Sequence, residues 1–152
     1  MLKQNGRIFL WQYTENISNY PGWNLCADSE GCDYLLKNLN ILAVAQRGSL
    51  LVTLSSQTPN VLSVPNNKNG TAKLLSHDKF EICLDAAAGN KDLWDFTCRN
   101  NSLVFRVGFN WLMPIQEGIR AVANGSGDYC MGGHKSASAN KLSNLWFWWY
   151  LK

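Results

Sequence analysis

Apolar residues recur with helical spacing over one segment of the chain, between Ser29 and Gln46. They fall three or four positions apart, which places them on one face of an α-helix. The stripe comprises Cys32, Leu35, Leu36, Leu39, Leu42 and Ala43. Asp28 can cap the free N–H groups at the helix start, and Gly48 follows its end. The pattern predicts a helix over residues 29–46 with one buried face.

A second helical stripe follows Asn110, which is the predicted N-cap of that helix. Pro114 falls in the first turn, where its missing N–H costs little. The apolar positions are Ile115, Ile119, Val122 and Ala123. The sequence Asn124-Gly125 ends the stripe, so the chain is predicted to contain two amphipathic helices that each need a surface to pack against.

Short runs rich in β-branched and aromatic residues predict strands. These runs are Arg7–Tyr13, Trp23–Ala27, Ser49–Ser55, Ala72–Leu75, Phe80–Leu84, Leu93–Cys98 and Leu103–Val107. The last two are separated by a short polar turn and predict a hairpin. Pro59 can start one helical turn in a loop, and small polar residues from Gly125 to Ser143 predict a long loop. The predicted fold class is α+β: one domain over residues 1–152, with a single mainly antiparallel or mixed sheet of about six strands and two packed helices.

The sequence ends in a strongly aromatic stretch, NLWFWWYLK, which predicts a final strand. Strand alternation would place Trp146, Trp148 and Tyr150 on one face, with Leu145, Phe147, Trp149 and Leu151 on the other. Both faces are apolar, so the strand is expected inside the sheet, covered on both sides. The alternative is that the three rings of the first face line an open groove for a sugar or a peptide.

Charge, apolar run length and cysteine content limit which partners and which cell compartment fit the sequence. The net charge is +3 and the cations are dispersed along the chain, so no nucleic-acid partner is expected. No apolar run is long enough to span a membrane or to form the core of a signal peptide. The five cysteines are odd in number and irregularly spaced, which is typical of reduced thiols in a cytoplasmic protein.

Candidate chemistry is sparse along the chain. Cys130 and His134 could act as a nucleophile and its base, or as two metal ligands, but no third orienting group is identifiable. Asp28, Glu30 and Asp33 could bind a metal or act as acid and base, although charge at a helix start accounts for them. Zinc and phosphate-loop spacings are absent from the sequence, so we expect no catalytic set, no cofactor and no metal.

Four stretches carry a resemblance to known proteins: PGWNLCADSEGCDYLL, VLSVPNN, NGSGDYCMG and LWFWW. The first holds Trp23, Leu25, Ala27 and Asp28 in the pattern W-x-L-x-A-D at the start of a helix. The chain resembles a group of small uncharacterised bacterial proteins that combine this pattern with a tryptophan-rich end. These are similar in size and style to immunity proteins, which block secreted toxins. Immunity proteins against nucleases are often acidic, whereas this chain is slightly basic.

The resemblance implies a cytoplasmic protein-binding domain that occludes a cognate toxin. Because recognition residues concentrate on loops, the predicted partner contacts lie in the loops of the chain. They are Asn66, Lys68, Asn69, Asp128, Tyr129 and His134.

Overall fold

The computed structural model describes residues 2–132 and 141–151. In these two segments nine strands form two sheets. The strands are β1 Ile8–Tyr13, β2 Trp23–Ala27, β3 Gly48–Thr53, β4 Leu74–Ser76, β5 Lys79–Asp85, β6 Trp94–Arg99, β7 Ser102–Gly108, β8 Tyr129–Gly132 and β9 Asn144–Phe147. The α-helices are α1 Ser29–Ala45, α2 Pro59–Ser63 and α3 Leu112–Ala123.

The α+β class is as expected, but the single sheet of about six strands is wrong. The first sheet has five strands in the order β4-β1-β2-β9-β8, and the second has four in the order β3-β5-β7-β6. Alternation of residue types along the sequence identifies a strand but does not show which strands pair with it. The division into two sheets was therefore not predicted. The chain passes from the first sheet to the second through α1 and again through the link between β4 and β5.

The last strand lies inside the first sheet, as predicted. It pairs in parallel with β2, where Trp23 lies opposite Leu145 and Leu25 lies opposite Phe147. On its other side β9 pairs antiparallel with β8. The strand β8 corrects the prediction of a structureless loop from residue 125 to 143. The strand is only four residues long and lies among small polar residues, so its pattern is weak in the sequence, and pairing with β9 holds it extended.

Helix α1 confirms the periodicity argument to within one residue at its end. The Asp28 carboxylate accepts a hydrogen bond from the Gly31 N–H at 2.8 Å, as a capping residue should. Helix α3 corrects the predicted cap, since Asn110 donates its amide to Asp92 at 2.9 Å and caps no backbone group. None of the helices in the described residues is long and apolar enough to cross a bilayer.

The main core lies between the inner faces of the two sheets and the apolar faces of α1 and α3. The strand β1 supplies Ile8 and Leu10 to this core, while the alternate residues Phe9, Trp11 and Tyr13 point to the outer face of the first sheet. Each large apolar side chain buried in this way stabilises the fold by roughly 1.5–3 kcal/mol. The first sheet is therefore covered on both faces, and its outer face is built largely from aromatic rings.

Candidate functional site

The aromatic tail is divided between the core and the surface. Leu145 and Phe147 belong to the main core, as alternation predicts. Trp148 is 2% exposed and lies on the outer face, while Trp146 on the same face is partly exposed. The strand ends at Phe147, so alternation stops there and Trp149 also joins the outer face. The core interpretation therefore applies to Leu145, Phe147 and Trp148, whereas Trp146, Trp149 and Tyr150 are partly exposed.

We call the aromatic strip the five side chains of the outer-face cluster that lie around the tail, namely Tyr20, Trp146, Trp148, Trp149 and Tyr150. The ring centroid of Tyr20 lies 5.3 Å from that of Trp146 and 4.9 Å from that of Trp148. Trp146 and Trp148 stack at 5.8 Å, and Trp148 meets Trp149 edge to face at 6.3 Å. Only Trp148 of these five is buried, so the other four present parts of their rings to solvent.

Hydrogen bonds fix the strip from inside the protein. The indole N–H of Trp146 donates to the Pro21 carbonyl at 3.1 Å. The indole N–H of Trp148 donates to the side-chain oxygen of the buried Asn24 at 2.9 Å. Because these polar edges are already paired within the fold, the rings are held in place and offer mainly their apolar surfaces to a partner.

Two buried polar groups beneath the strip have no hydrogen-bond partner within residues 2–132 and 141–151. They are the indole N–H of Trp11 and the hydroxyl of Tyr13. Burial raises the pKa of Tyr13, and the nearby Trp11 opposes this shift without reaching hydrogen-bonding geometry. An unpaired buried donor costs about 1–3 kcal/mol, which the surrounding ring packing has to offset.

Arg7 ends the strip on the side of α1. Its guanidinium carbon lies 5.5 Å from the Tyr150 ring centroid and 6.0 Å from that of Phe9. Its Nη2 atom donates to the Tyr150 hydroxyl, and its Nε atom lies 3.6 Å from the Asp28 carboxylate. These contacts pin a cationic side chain that is itself exposed to solvent.

An open depression continues from Arg7 around the first turn of α1. A groove of about 540 Å³ is lined by Arg7, Asp28, Ser29, Glu30 and Tyr150. It shares Ser29 and Glu30 with a neighbouring depression of about 650 Å³. The lining is mixed, with carboxylates facing a guanidinium and an aromatic ring. Such a surface suits polar contacts at the border of an interface.

Two of the three acidic residues at the helix start, Asp28 and Asp33, make structural contacts. Asp28 caps α1 and also accepts a hydrogen bond from the Arg7 backbone N–H at 3.0 Å. Asp33 pairs with Lys37 at 2.7 Å along the same helix. Within the described residues no group of three His, Cys, Asp or Glu side chains could hold a metal ion.

A preorganised loop flanks the strip at Tyr20. Its residues Asn66, Lys68 and Asn69 are exposed and adopt left-handed backbone angles, with φ of 57°, 50° and 57°. Between them the buried Asn67 receives a hydrogen bond from Asn19, the residue before Tyr20, at 3.1 Å. Left-handed non-glycine residues are uncommon and persist only where their surroundings hold them.

The Glu15 carboxylate makes contacts that help to keep this loop in its conformation. It pairs with the Lys68 ammonium and accepts a hydrogen bond from the Lys73 backbone N–H at 3.1 Å. These contacts, with Lys68 the largest, hold the pKa of Glu15 below its usual value of 4.5. The structure thus places the predicted residues Asn66, Lys68 and Asn69 on a fixed, solvent-facing loop.

Asp128 lies beside the tail. It is exposed, with φ of 67°, and its N–H donates to the Phe147 carbonyl at 2.8 Å. The preceding Gly127 packs so closely on the tail that an added Cβ would lie 2.7 Å from that carbonyl and 3.1 Å from the Trp148 Cα. The Asn66–Asn69 loop thus contacts the segment next to Tyr20, and Asp128 contacts the tail at Phe147.

Tyr129 has mainly internal contacts. Its ring stacks on Phe147 at 5.4 Å and packs against the main core. Burial is the main cause that raises its pKa, with a smaller contribution from the charge of Glu117. His134, the last predicted contact, lies outside the described residues, so the predicted pair of Cys130 and His134 is not placed. Cys130 itself is half-buried, and burial raises its pKa.

The structure brings together a different cysteine and histidine. The Cys98 sulfur lies 3.6 Å from the His77 Nε2 atom. The two residues are 21 positions apart in the chain and belong to no recognisable motif, so sequence reasoning missed them. It also missed Tyr20 and Arg7, whose importance depends on contacts with the distant tail.

Comparison of the chain with models of known families, with curated proteins and with solved structures finds no match in any of the three. The chain's own geometry is therefore what indicates a function. Its most distinctive element is the row of fixed, partly exposed aromatic rings that ends at Arg7 and is bordered by exposed polar residues.

Proposed function

We propose that the protein is a protein-binding domain that occludes a cognate toxin, in the manner of an immunity protein, and that it binds through the aromatic strip. The single observation that carries the proposal is the partial exposure of Tyr20, Trp146, Trp149 and Tyr150, which all pack on the same outer-face cluster, with Arg7 beside Tyr150. Tyrosine, tryptophan and arginine are the residue types that dominate binding energy at protein interfaces.

The rigidity of the strip favours binding to another folded surface. The indole edges of Trp146 and Trp148 are hydrogen-bonded inside the protein. Side chains that are already ordered lose little conformational freedom on association, so more of the contact energy appears as affinity. Aromatic residues with only two rotatable side-chain bonds add to this effect.

The border of the strip supplies polar groups suited to the rim of an interface. Asn66, Lys68 and Asn69 lie on the exposed loop beside Asn19 and Tyr20, and Asp128 is exposed beside the tail. In this arrangement the rings make the central apolar contact while amide, ammonium and carboxylate groups select the partner by charge and hydrogen bonding. We place the encounter in the cytoplasm, where the five free cysteines would stay reduced.

The test is co-expression of the full chain with the product of the adjacent gene, read as growth rescue and as co-purification. Trp149→Ala tests the strip, and Phe109→Ala is the matched control, because Phe109 is an aromatic residue that is 41% exposed and does not belong to the strip. We expect Trp149→Ala to weaken the complex by about 2 kcal/mol or more, roughly 30-fold in Kd, and Phe109→Ala to leave it unchanged.

Two results contradict different parts of the proposal. If the wild-type chain neither rescues growth nor co-purifies, the immunity function is wrong. If it binds but folded Trp149→Ala binds equally well, the function stands and the assigned surface is wrong. The sugar- or peptide-binding alternative uses the same rings, and a glycan screen in which Trp149→Ala abolishes a wild-type signal would favour it.

A further inference from the structure

Cys98 and His77 form a close pair at one end of the main core. Cys98 lies near the end of β6 and is exposed, and its sulfur is 3.6 Å from the Nε2 atom of His77. His77 lies in the link between β4 and β5 and is partly buried. Its ring packs on Trp23, with ring centroids 5.7 Å apart. The sulfur is thus open to solvent on one side and faces an imidazole nitrogen on the other.

The remaining four cysteines are poor nucleophiles because of where they lie. Burial raises the pKa of Cys26 and Cys32 to about 12 and that of Cys83 to about 11, and it also raises the pKa of Cys130. The thiolate is the reactive form of cysteine, so each of these shifts suppresses reaction near neutral pH. Among the five thiols, Cys98 is the exposed one.

His77 is suited to take a proton from Cys98. Burial against its neighbours lowers its pKa below the usual 6.5, while the charge of Asp78 opposes this shift. The Asp78 carboxylate is itself held by the Asn101 side-chain amide. Near neutral pH the imidazole is therefore uncharged, and with its own proton on Nδ1 the Nε2 atom can accept the thiol hydrogen.

We propose that Cys98 and His77 form a thiol–imidazole pair and that Cys98 is the site at which this protein undergoes thiol–disulfide exchange with small disulfides such as glutathione disulfide. The Cys98 thiol transfers its proton to His77 Nε2 while its sulfur attacks one sulfur of the disulfide. A bond forms between Cys98 and that sulfur, the original S–S bond breaks, and the departing thiolate takes the proton back from the imidazolium. The product is a mixed disulfide at Cys98 and one free small thiol.

This inference is independent of the proposed toxin binding. The pair contacts Trp23 in the main core, whereas the aromatic strip lies on the outer face of the first sheet. A variant that loses toxin binding should still undergo thiol–disulfide exchange, and a variant that loses exchange should still bind the toxin.

The experiment exposes the reduced full chain to glutathione disulfide and maps the modified cysteine by mass spectrometry of peptides. We expect the label at Cys98 first, loss of fast labelling in Cys98→Ser, and unchanged labelling in Cys130→Ser, the matched control. His77→Gln tests the base, and the rate of reaction at pH 7 should fall about tenfold.

The pH profile separates a proton acceptor from a merely structural neighbour. The wild-type rate should exceed the His77→Gln rate most near neutral pH, and the two rates should converge in alkaline solution, where a thiol ionises without the help of a base. First labelling at another cysteine in the wild-type chain overturns the proposal without any variant. A folded His77→Gln variant with the wild-type rate and profile overturns the role of the imidazole.

Discussion

Of the residues in the tail, Trp148 should contribute most to the free energy of unfolding. The substitution Trp148→Phe tests this directly. The change keeps an aromatic ring but deletes the N–H that donates to the Asn24 side-chain oxygen at 2.9 Å. Asn24 is fully buried, so its oxygen loses a partner that water cannot replace. An unpaired buried acceptor costs about 1–3 kcal/mol, and the smaller ring adds a packing loss of about 1 kcal/mol. We expect a total destabilisation of about 2–4 kcal/mol.

Urea unfolding followed by circular dichroism measures this difference, which should lower the midpoint by about 1 M or more. Trp146→Phe is the matched control, since its N–H donates to the Pro21 carbonyl at a partly exposed position. It should cost about 1 kcal/mol or less. A double-mutant cycle of Trp148→Phe with Asn24→Ala isolates the pair and should give a coupling near 1 kcal/mol. Equal losses for both tryptophans, or zero coupling, would refute the reasoning.

Three further changes test other parts of the structure. Asp28→Ala removes the cap of α1 and should cost about 1–2 kcal/mol in urea unfolding, while Asp28→Asn, which keeps an acceptor, should cost less. Glu15 has a depressed pKa in the fold, so its stabilising contacts with Lys68 are present above pH 4.5 and are lost as the pH falls through the lowered folded value. At pH 6 the wild-type protein should therefore have a higher Tm than Glu15→Gln, and this difference in Tm should vanish in acid. A difference in Tm that persists in acid contradicts the stabilising role of the ionised Glu15 carboxylate. The Gln4 side chain pairs with both the N–H and the carbonyl of Thr53 on the edge strand β3, so Gln4→Ala should increase self-association in light scattering, and unchanged scattering contradicts this role.

Local signals in the sequence predicted local structure well. The extent of α1 follows from its apolar spacing and from Asp28, both of which act within a few residues. The hairpin of β6 and β7 follows from two alternating runs around a short turn. In contrast, Asn110 has the right chemistry for a cap, but it lies inside the short 3₁₀ turn Phe109–Trp111, and α3 begins only at Leu112.

Long-range pairing accounts for what the sequence did not predict. Nothing local shows that β5 and β7 are parallel neighbours in a second sheet, or that residues 129–132 extend because β9 lies beside them. The candidate site likewise combines features that the local sequence predicts with long-range contacts that it does not predict. The exposure of Asn66, Lys68 and Asn69 follows from their place in a polar loop, and the burial of Trp148 follows from the apolar character of the tail. The contact of Arg7 with Tyr150 joins residues 143 positions apart, and no sequence pattern announces it.

The central place of β9 has a consequence for how the molecule assembles. The contact between Trp148 and Asn24 spans 124 positions, and β2 has no second neighbour until β9 arrives. Closing a loop of this length slows folding more than it lowers the stability of the folded protein. During that search the β1–β2 hairpin carries an open, apolar edge that can capture other chains. We therefore expect a late kinetic phase in refolding, monitored by tryptophan fluorescence, and losses to aggregation that rise with protein concentration during that phase.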